Sequence, residues 1–388
     1  MDNIAVPLTV TEYFAGIGLV RMGLEPCGWR VIFANDISEK KFEMYKVFFP
    51  DAHKHYKVQD IFELTENDTP SSTLATCSFP CIDLSLAGNM NGISGMHSSA
   101  FWGFLNVLKL QGDIAPPIIL VENVPGWLYS NKGADFRLTV QSLNELGYMC
   151  DVFTLDALRF TAQSRQRVFL VGTKLPIPGV NVLSLLQRPR SLISDTLRRS
   201  LLANQDLEWF YTDLPSPPPL RKDGLSEIIE TMDNNDSRWW KPDEVKRHFD
   251  MMSISHRKMV TLLINDSKIN YRTFYRRIRK GQQRAEVRSD NVAGCLRTAV
   301  GGSGKQFLIK AGKGQLRMRT MTEREYARLQ GVPDSYPIKT NGVQALTGFG
   351  DAVCVPVITW IACHALNPLF EGYLSKSKLE TVTVRNGR

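Results

Sequence analysis

The feature that most constrains this chain lies near its start. An apolar, β-branched run over residues 8–14 meets the turn Ala15-Gly16-Ile17-Gly18, and a helical pattern follows over 19–25. Strand, glycine turn and helix in that order form a βα unit, whose crossover lays the next strand parallel to the first. The unit recurs: a strand over 30–34 precedes Asn35-Asp36 and a helical pattern over 38–49. Further apolar runs at 74–79, 118–121, 149–155 and 168–171 alternate with helical stretches such as 101–110 and 136–146. Such alternation implies an α/β fold with a doubly wound, mostly parallel sheet.

A chain of 388 residues fits two lobes, each able to bury a core. After Lys174 the pattern changes to a Pro/Gly-rich connector, the loop Leu214-Pro-Ser-Pro-Pro-Pro219, and then a polar, aromatic and Arg-rich stretch without clear alternation. A helical pattern returns at 322–330, and the apolar segment 352–365 reads as a helix packed on the sheet. The expected organisation is a first domain built from 1–175 and 321–388, with a second domain inserted at 176–320.

Charge sharpens this division. The net charge is +8, but residues 176–320 carry 26 Lys and Arg against 15 Asp and Glu, a net of +11 that leaves −3 for the remainder. Such asymmetry points to a polyanion met by the inserted lobe; a solvated basic face explains charge alone equally well. The start of the chain has no basic run before an apolar stretch, and no uninterrupted apolar segment approaches membrane-spanning length, so a cytoplasmic protein without membrane contact is expected. Seven cysteines form no dense framework, and their odd number argues for reduced thiols. Cys77 and Cys81 make no CxxC pair and lack nearby His, so no metal is expected.

Several strand ends carry chemistry. Phe14-Ala15-Gly16-Ile17-Gly18 permits close backbone approach to a ligand, and Asp36, closing the next strand, can accept ribose hydroxyls. Asp60-Ile61 offers a polar and an apolar contact for an adenine; an ordinary strand-end turn explains it as cheaply. Ser78-Phe79-Pro80-Cys81 runs from a strand into a Gly-rich loop. A free Cys is more often a small buried hydrophobe, and only about 3% of an ordinary thiol is thiolate at pH 7, so a reactive Cys81 needs help from its surroundings. Glu122, directly after an apolar run, either caps the next helix or protonates a heterocycle. In Gln163-Ser164-Arg165-Gln166-Arg167, alternation sends two guanidiniums to one face, where they bind substrate, hold Glu122 and Cys81, or merely solvate a strand start.

In order and spacing these segments resemble the carbon-5 cytosine-specific DNA methyltransferase family of the bacterial or phage restriction-modification type. Residues 14–25 look like its cofactor motif, Pro80-Cys81 its nucleophile motif, Glu122-Asn123-Val124 its acid motif, and 163–167 its Gln-x-Arg-x-Arg motif. Residues 319–333 and Gly350-Asp351-Ala352-Val353 are similar to its two closing segments. The resemblance implies a Rossmann-like fold binding S-adenosylmethionine through Phe14, Gly16, Ile17, Gly18, Asp36, Asp60, Ile61, Pro80, Asp351 and Val353, with no metal. It implies that Cys81 adds to carbon 6 of a cytosine flipped out of duplex DNA, Glu122 engages ring nitrogen 3, Arg165 orients the base and Glu122, and Arg167 assists. The inserted lobe would read the target: Tyr271 to Lys280 interleaves aromatics with Arg272, Arg276, Arg277, Arg279 and Lys280, and Arg297-Thr298 leads into a Gly-rich loop. A bacterial, nucleoid-associated monomer is expected, with a cognate restriction endonuclease acting separately.

Three positions depart from the family pattern: Leu19 stands for a second Gly, Ile82 for a polar residue, and Asp351 for an Asn. Rival readings are an RNA cytosine methyltransferase of the same fold, a nonenzymatic DNA-binding regulator on this scaffold, and a nicotinamide-linked dehydrogenase. The last explains the glycine turn but none of the other motifs.

Overall fold

In the computed structural model, which describes residues 8–80, 100–299, 304–340 and 342–374, the first apolar run forms β1 (Thr9–Tyr13), buried along its whole length. A strand covered on both faces of a sheet is largely apolar, and the later strands over 74–77 and 118–123 are likewise buried throughout. The order is α1 (Leu19–Leu24), β2 (Arg30–Asp36), α2 (Glu39–Phe48), β3 (Tyr56–Val58), β4 (Leu74–Cys77), α3 (Ala100–Gln111), β5 (Ile118–Asn123), α4 (Ala134–Glu145), β6 (Met149–Asp156) and β7 (Gln166–Thr173). These strands make one sheet in the order β3-β2-β1-β4-β5-β7-β6. The chain reverses its direction of travel across the sheet between β1 and β4, the crevice where ligands bind in open α/β sheets. Alternation divides the core: Val10, Leu74 and Leu120 face α1 and α2, whereas Tyr13, Ala75, Ile119 and Val121 face α3 and α4.

One strand runs against the rest. β7 is antiparallel to both β5 and β6, with Glu122 opposite Phe169 and Asn123 opposite Val168. The start of β7 therefore lies at the edge where the parallel strands end.

Beyond β7 the chain first packs back on this sheet. Val182, Leu185 and Trp209, with Leu197 and Leu201 of α5 (Asp195–Leu202), join the cluster around α4. The buried Arg188 clamps both carboxylate oxygens of Asp151 at 2.5 Å. A second lobe follows, with α6 (Pro242–Asp250), α7 (Ile254–Ile264) and the antiparallel strands β8 (Asn270–Arg279), β9 (Gln282–Val287), β10 (Gln306–Gly312) and β11 (Gln315–Thr320), ordered β11-β10-β8-β9. Its small core centres on Phe274 and Phe307, rings 5.0 Å apart, with Val260, Ile309 and Met318.

The chain then returns through α8 (Glu323–Leu329), α9 (Gly342–Asp351) and α10 (Val355–Ile361). Arg319 and Glu325 pair in full burial, and Glu325 also completes the capping box that starts α8. α10 covers α1 so closely that a Cβ on Gly23 would lie 2.6 Å from Ile358. The helical run Gly342–Leu374 is, by length and composition alone, apolar enough to cross a membrane, which was not expected from the sequence. More than half of its apolar window is buried within the protein, and its helices share the core with α1. A second difference concerns thiols: Cys27 and Cys363 are joined as a disulfide, where reduced cysteines were expected.

Candidate active site

The turn after β1 is shaped by two glycines with different jobs. Gly18 has φ +84°, and a Cβ there would lie 2.5 Å from Phe49 and 2.8 Å from Tyr45, so its lack of a side chain serves packing. Gly16 has φ +58° and opens on space, with nothing nearer to its Cβ position than 3.9 Å. Its backbone N–H donates to Asp36 Oδ2 at 3.0 Å, while Ser38 N–H donates to Oδ1 at 2.9 Å. Each carboxylate oxygen keeps a lone pair for a further hydroxyl. Ile37, beside Asp36, is 68% exposed, a large apolar side chain left on the rim of the crevice. An open cradle at Gly16, an acid and an adjacent apolar surface fit a nucleoside. Ile17 and Val353 are buried in the core below. Ile61 fills the space that Gly103 of α3 leaves, and Asp60 accepts from Phe62 N–H.

Lys41 links this turn to the returning chain. Its Nζ lies 3.9 Å from Asp36 Oδ2 and 3.6 Å from Asp351 Oδ2, and Thr298 Oγ1 donates to Asp351 Oδ1 at 2.6 Å. A Cβ on Gly350 would collide with the Arg297 carbonyl at 2.2 Å. The segment that joins β9 to β10 and the acid of the turn are thus joined through one ammonium.

The reactive edge lies one strand over. Asn123 donates to the Phe79 carbonyl at 3.3 Å, fixing the backbone that leads into Pro80; Cys81 itself lies outside the described residues. Glu122, mostly buried, meets Arg167 Nε at 3.0 Å. On sequence grounds Arg165 is the partner expected for Glu122, but its guanidinium goes elsewhere. Arg165 Nη1 donates to the Leu296 carbonyl at 2.8 Å and that of Gly350 at 3.3 Å, and Nη2 to that of Ala352 at 2.7 Å. The reason is topological: at the antiparallel start of β7, residue 167 lies within the ladder and 165 just outside it, against the returning chain.

Gln163 extends that seam. It donates to the Leu329 carbonyl at 2.9 Å and accepts from Leu296 N–H at 3.1 Å. Gln330 then donates to the Phe349 and Ala352 carbonyls at 2.6 and 2.9 Å. Two buried amides and one guanidinium so satisfy carbonyls that two chain crossings would otherwise leave bare.

A conserved-family model described as C-5 cytosine-specific DNA methylase matches residues 8–366 of the chain, spanning every element of this edge. The chain belongs to that family. Among relatives, the methylase is 25% identical over 359 residues to the Type II methyltransferase M.HaeII of Haemophilus aegyptius, covering 92% of each chain. It is 24% identical to M.HhaI of Haemophilus parahaemolyticus over 366 residues, 93% of this chain and 95% of that one. Solved structures share its fold: the Entamoeba histolytica methyltransferase EhMeth has a TM-score of 0.60 at 14% identity, covering 94% of this chain and 99% of that one. The Schizosaccharomyces pombe Dnmt2 methyltransferase has a TM-score of 0.57 at 18% identity with the same coverage.

Of the methylase's expected site residues, Phe14, Gly16, Asp36 and Asp351 gather on one rim, and Pro80, Glu122 and Arg167 on the adjoining edge. Reading the sequence missed Lys41, Ile37 and Cys295, whose sulfur accepts from Arg167 Nη2 at 3.8 Å, and gave Asn123 no role of its own within the acid motif. Lys41 had a faint signal, one of two adjacent lysines in the first turn of a helix after an acid; Cys295 had none.

Proposed function

We propose that this methylase modifies carbon 5 of one cytosine within a specific duplex DNA sequence, using Cys81 as nucleophile and Glu122 as acid. The observation that carries the reading is the Glu122–Arg167 pair at 3.0 Å on the edge where Asn123 anchors the backbone leading to Cys81. A base inside the stack cannot reach such an edge, so the target must flip. The Cys81 thiolate adds to carbon 6, and Glu122, oriented by Arg167, protonates or hydrogen-bonds ring nitrogen 3, which gives carbon 5 enamine character. S-adenosylmethionine, when bound, supplies an electrophilic methyl group. The turn at Gly16, with Asp36 and Ile37, fits its nucleoside end. Loss of the carbon-5 proton and expulsion of the thiolate restore the aromatic ring. Arg165, tied to three carbonyls, holds the edge against the returning chain.

The second lobe supplies the target reader, and a role in protecting host DNA beside a separate endonuclease follows from the Type II relatives. The protein would act as a cytoplasmic monomer. Bisulfite sequencing of DNA from cells expressing the chain should reveal methylated cytosines at one recurrent sequence, and Cys81→Ser should erase them. Labelled methyl groups appearing on transfer RNA rather than duplex DNA, or turnover surviving in Cys81→Ser, would overturn the reading.

A further inference from the structure

We propose that Cys295 is a positioning residue for the acid: its sulfur, shared between two guanidiniums, holds Arg167 against Glu122 and ties that pair to the segment that joins β9 to β10. The inference rests on Glu122 acting as proposed above.

Arg167 Nη2 lies 3.8 Å from Cys295 Sγ and Arg165 Nη1 lies 3.6 Å from it, both within reach of a donor–sulfur hydrogen bond. Arg167 thus has three anchors: its Nε on Glu122, its Nη1 on the Gln166 carbonyl at 2.8 Å, and its Nη2 on sulfur. The sulfur is fixed by the main chain. Ala293 N–H donates to the Ala162 carbonyl at 2.7 Å, Ser164 N–H to the Ala293 carbonyl at 2.9 Å, and Leu296 N–H to Gln163. Cys295 therefore sits on a backbone pinned on both sides to the segment that carries the two arginines, and its side chain can serve as a fixed stop.

Charge explains why a sulfur suits this place. The charged groups facing it are Arg165, Arg167 and Arg297, with Glu122 beyond the first two. Arg165 is fully buried, and Cys295, Glu122 and Cys354 are the groups that offset its charge. Burial pushes the Cys354 thiol up to about 11, so it stays neutral. Burial also pushes the Cys295 thiol up, but the Arg165 and Arg167 guanidiniums outweigh that and hold it below the ordinary thiol value. As a thiol, Cys295 donates to the Leu296 carbonyl at 3.3 Å; as a thiolate it accepts from both arginines and strengthens the hold on Arg167.

The test uses the whole chain. Iodoacetamide labelling of the native wild-type protein across pH 6 to 10, read peptide by peptide in a mass spectrometer, should show Cys295 reacting with an apparent pKa below that of an ordinary thiol. Labelling at Cys295 that follows an ordinary or raised thiol pKa would overturn the proposal without any variant. Cys295→Ala should lower kcat for methyl transfer about tenfold to a hundredfold, with KM for S-adenosylmethionine within about twofold. Cys295→Ser should recover part of kcat, with a pH profile that no longer carries the thiol's titration. In a double-mutant cycle, Cys295→Ala should cost nothing further once Glu122→Gln has been made, because it acts through that acid. Additive losses, or full turnover in Cys295→Ala, would sink the positioning role. If Glu122→Gln alone keeps its turnover, the reading of the acid fails instead, whatever Cys295 does.

Discussion

Glu12 is buried on β1, and neither carboxyl oxygen has a well-formed hydrogen bond among the described residues. Burial raises its pKa from 4.5 to about 8, with Arg21 offsetting part of the effect. The folded form therefore holds a proton that the unfolded chain releases. Its contribution to stability is complete below pH 4.5 and is lost as pH rises through about 8. Urea titrations at pH 5, 7 and 9 should show wild-type stability falling by a few kcal/mol from this group, at roughly 1.4 kcal/mol per unit of pKa shift. Glu12→Gln should flatten that fall, and an unchanged slope would count against the assignment. The two turn glycines separate in a similar way. Gly18→Ala combines left-handed backbone strain with a collision against Phe49 and should cost about 3 kcal/mol or more. Gly16→Ala carries only the strain, about 1–2 kcal/mol, yet should weaken S-adenosylmethionine binding several-fold by filling the open cradle. Thermal denaturation and calorimetric titration would distinguish these costs. A sequence exposes Gly16 and Gly18 as one motif; only their neighbours, Tyr45 of α2 and Phe49 just after it, divide them.

At the scale of elements, strand positions were legible because double burial demands unbroken apolar runs, as at 118–121 and 168–171. Strand direction was harder, although a clue was present. Residues 157–165 alone connect β6 to β7, too few for a parallel crossover of roughly a dozen. That reversal explains why Arg167 rather than Arg165 meets Glu122, a choice that spacing within Gln-x-Arg-x-Arg leaves open. The link between α2, α9 and the second lobe was invisible for another reason: Lys41, Thr298 and Asp351 are far apart in sequence, and each looks like surface. Asp351 suits this link as a carboxylate, because it faces an ammonium. Asp351→Asn should keep the Thr298 contact, lose the ion pair, and weaken S-adenosylmethionine binding by no more than about fivefold, corresponding to roughly 1 kcal/mol for a partly exposed pair. A loss of a hundredfold would mean that Asp351 contacts the cofactor itself.

At the scale of the molecule, the excess positive charge at 176–320 is uneven in function as well as in sequence. Arg188 in that stretch is fully buried on Asp151, and Arg319 on Glu325, so these cations hold the fold and are unavailable to phosphate. Those of β8 remain on or near the surface: Arg279 is exposed, while Arg276 and Arg277 are half-buried. Charge counts along a chain cannot separate the two roles; burial does. The composition change after Lys174 likewise marks where the chain leaves the sheet, while packing shows residues 182–209 still gathered around α4. Binding to duplex DNA should weaken with salt by about 0.9 log unit per log unit for each phosphate neutralised. Arg276→Ala with Arg277→Ala should reduce that slope by up to about two phosphates, measured by fluorescence anisotropy. An unchanged slope would remove β8 from the DNA interface.

The cover that α10 lays over α1 has a consequence in time as well as in space. Gly23 and Ile358 touch in the finished protein, and Thr359 Oγ1 donates to the Gly23 carbonyl at 2.9 Å, but a ribosome makes these partners more than three hundred residues apart. At about 5–20 residues per second, α1 waits roughly twenty seconds to a minute for its lid. During that interval Val20, Leu24 and the apolar side chains of β1 beneath them lack one of their walls, so the nascent chain is a client for whatever shelters greasy surfaces during synthesis. Slowing translation late in the message should therefore lower the soluble yield more than slowing it early.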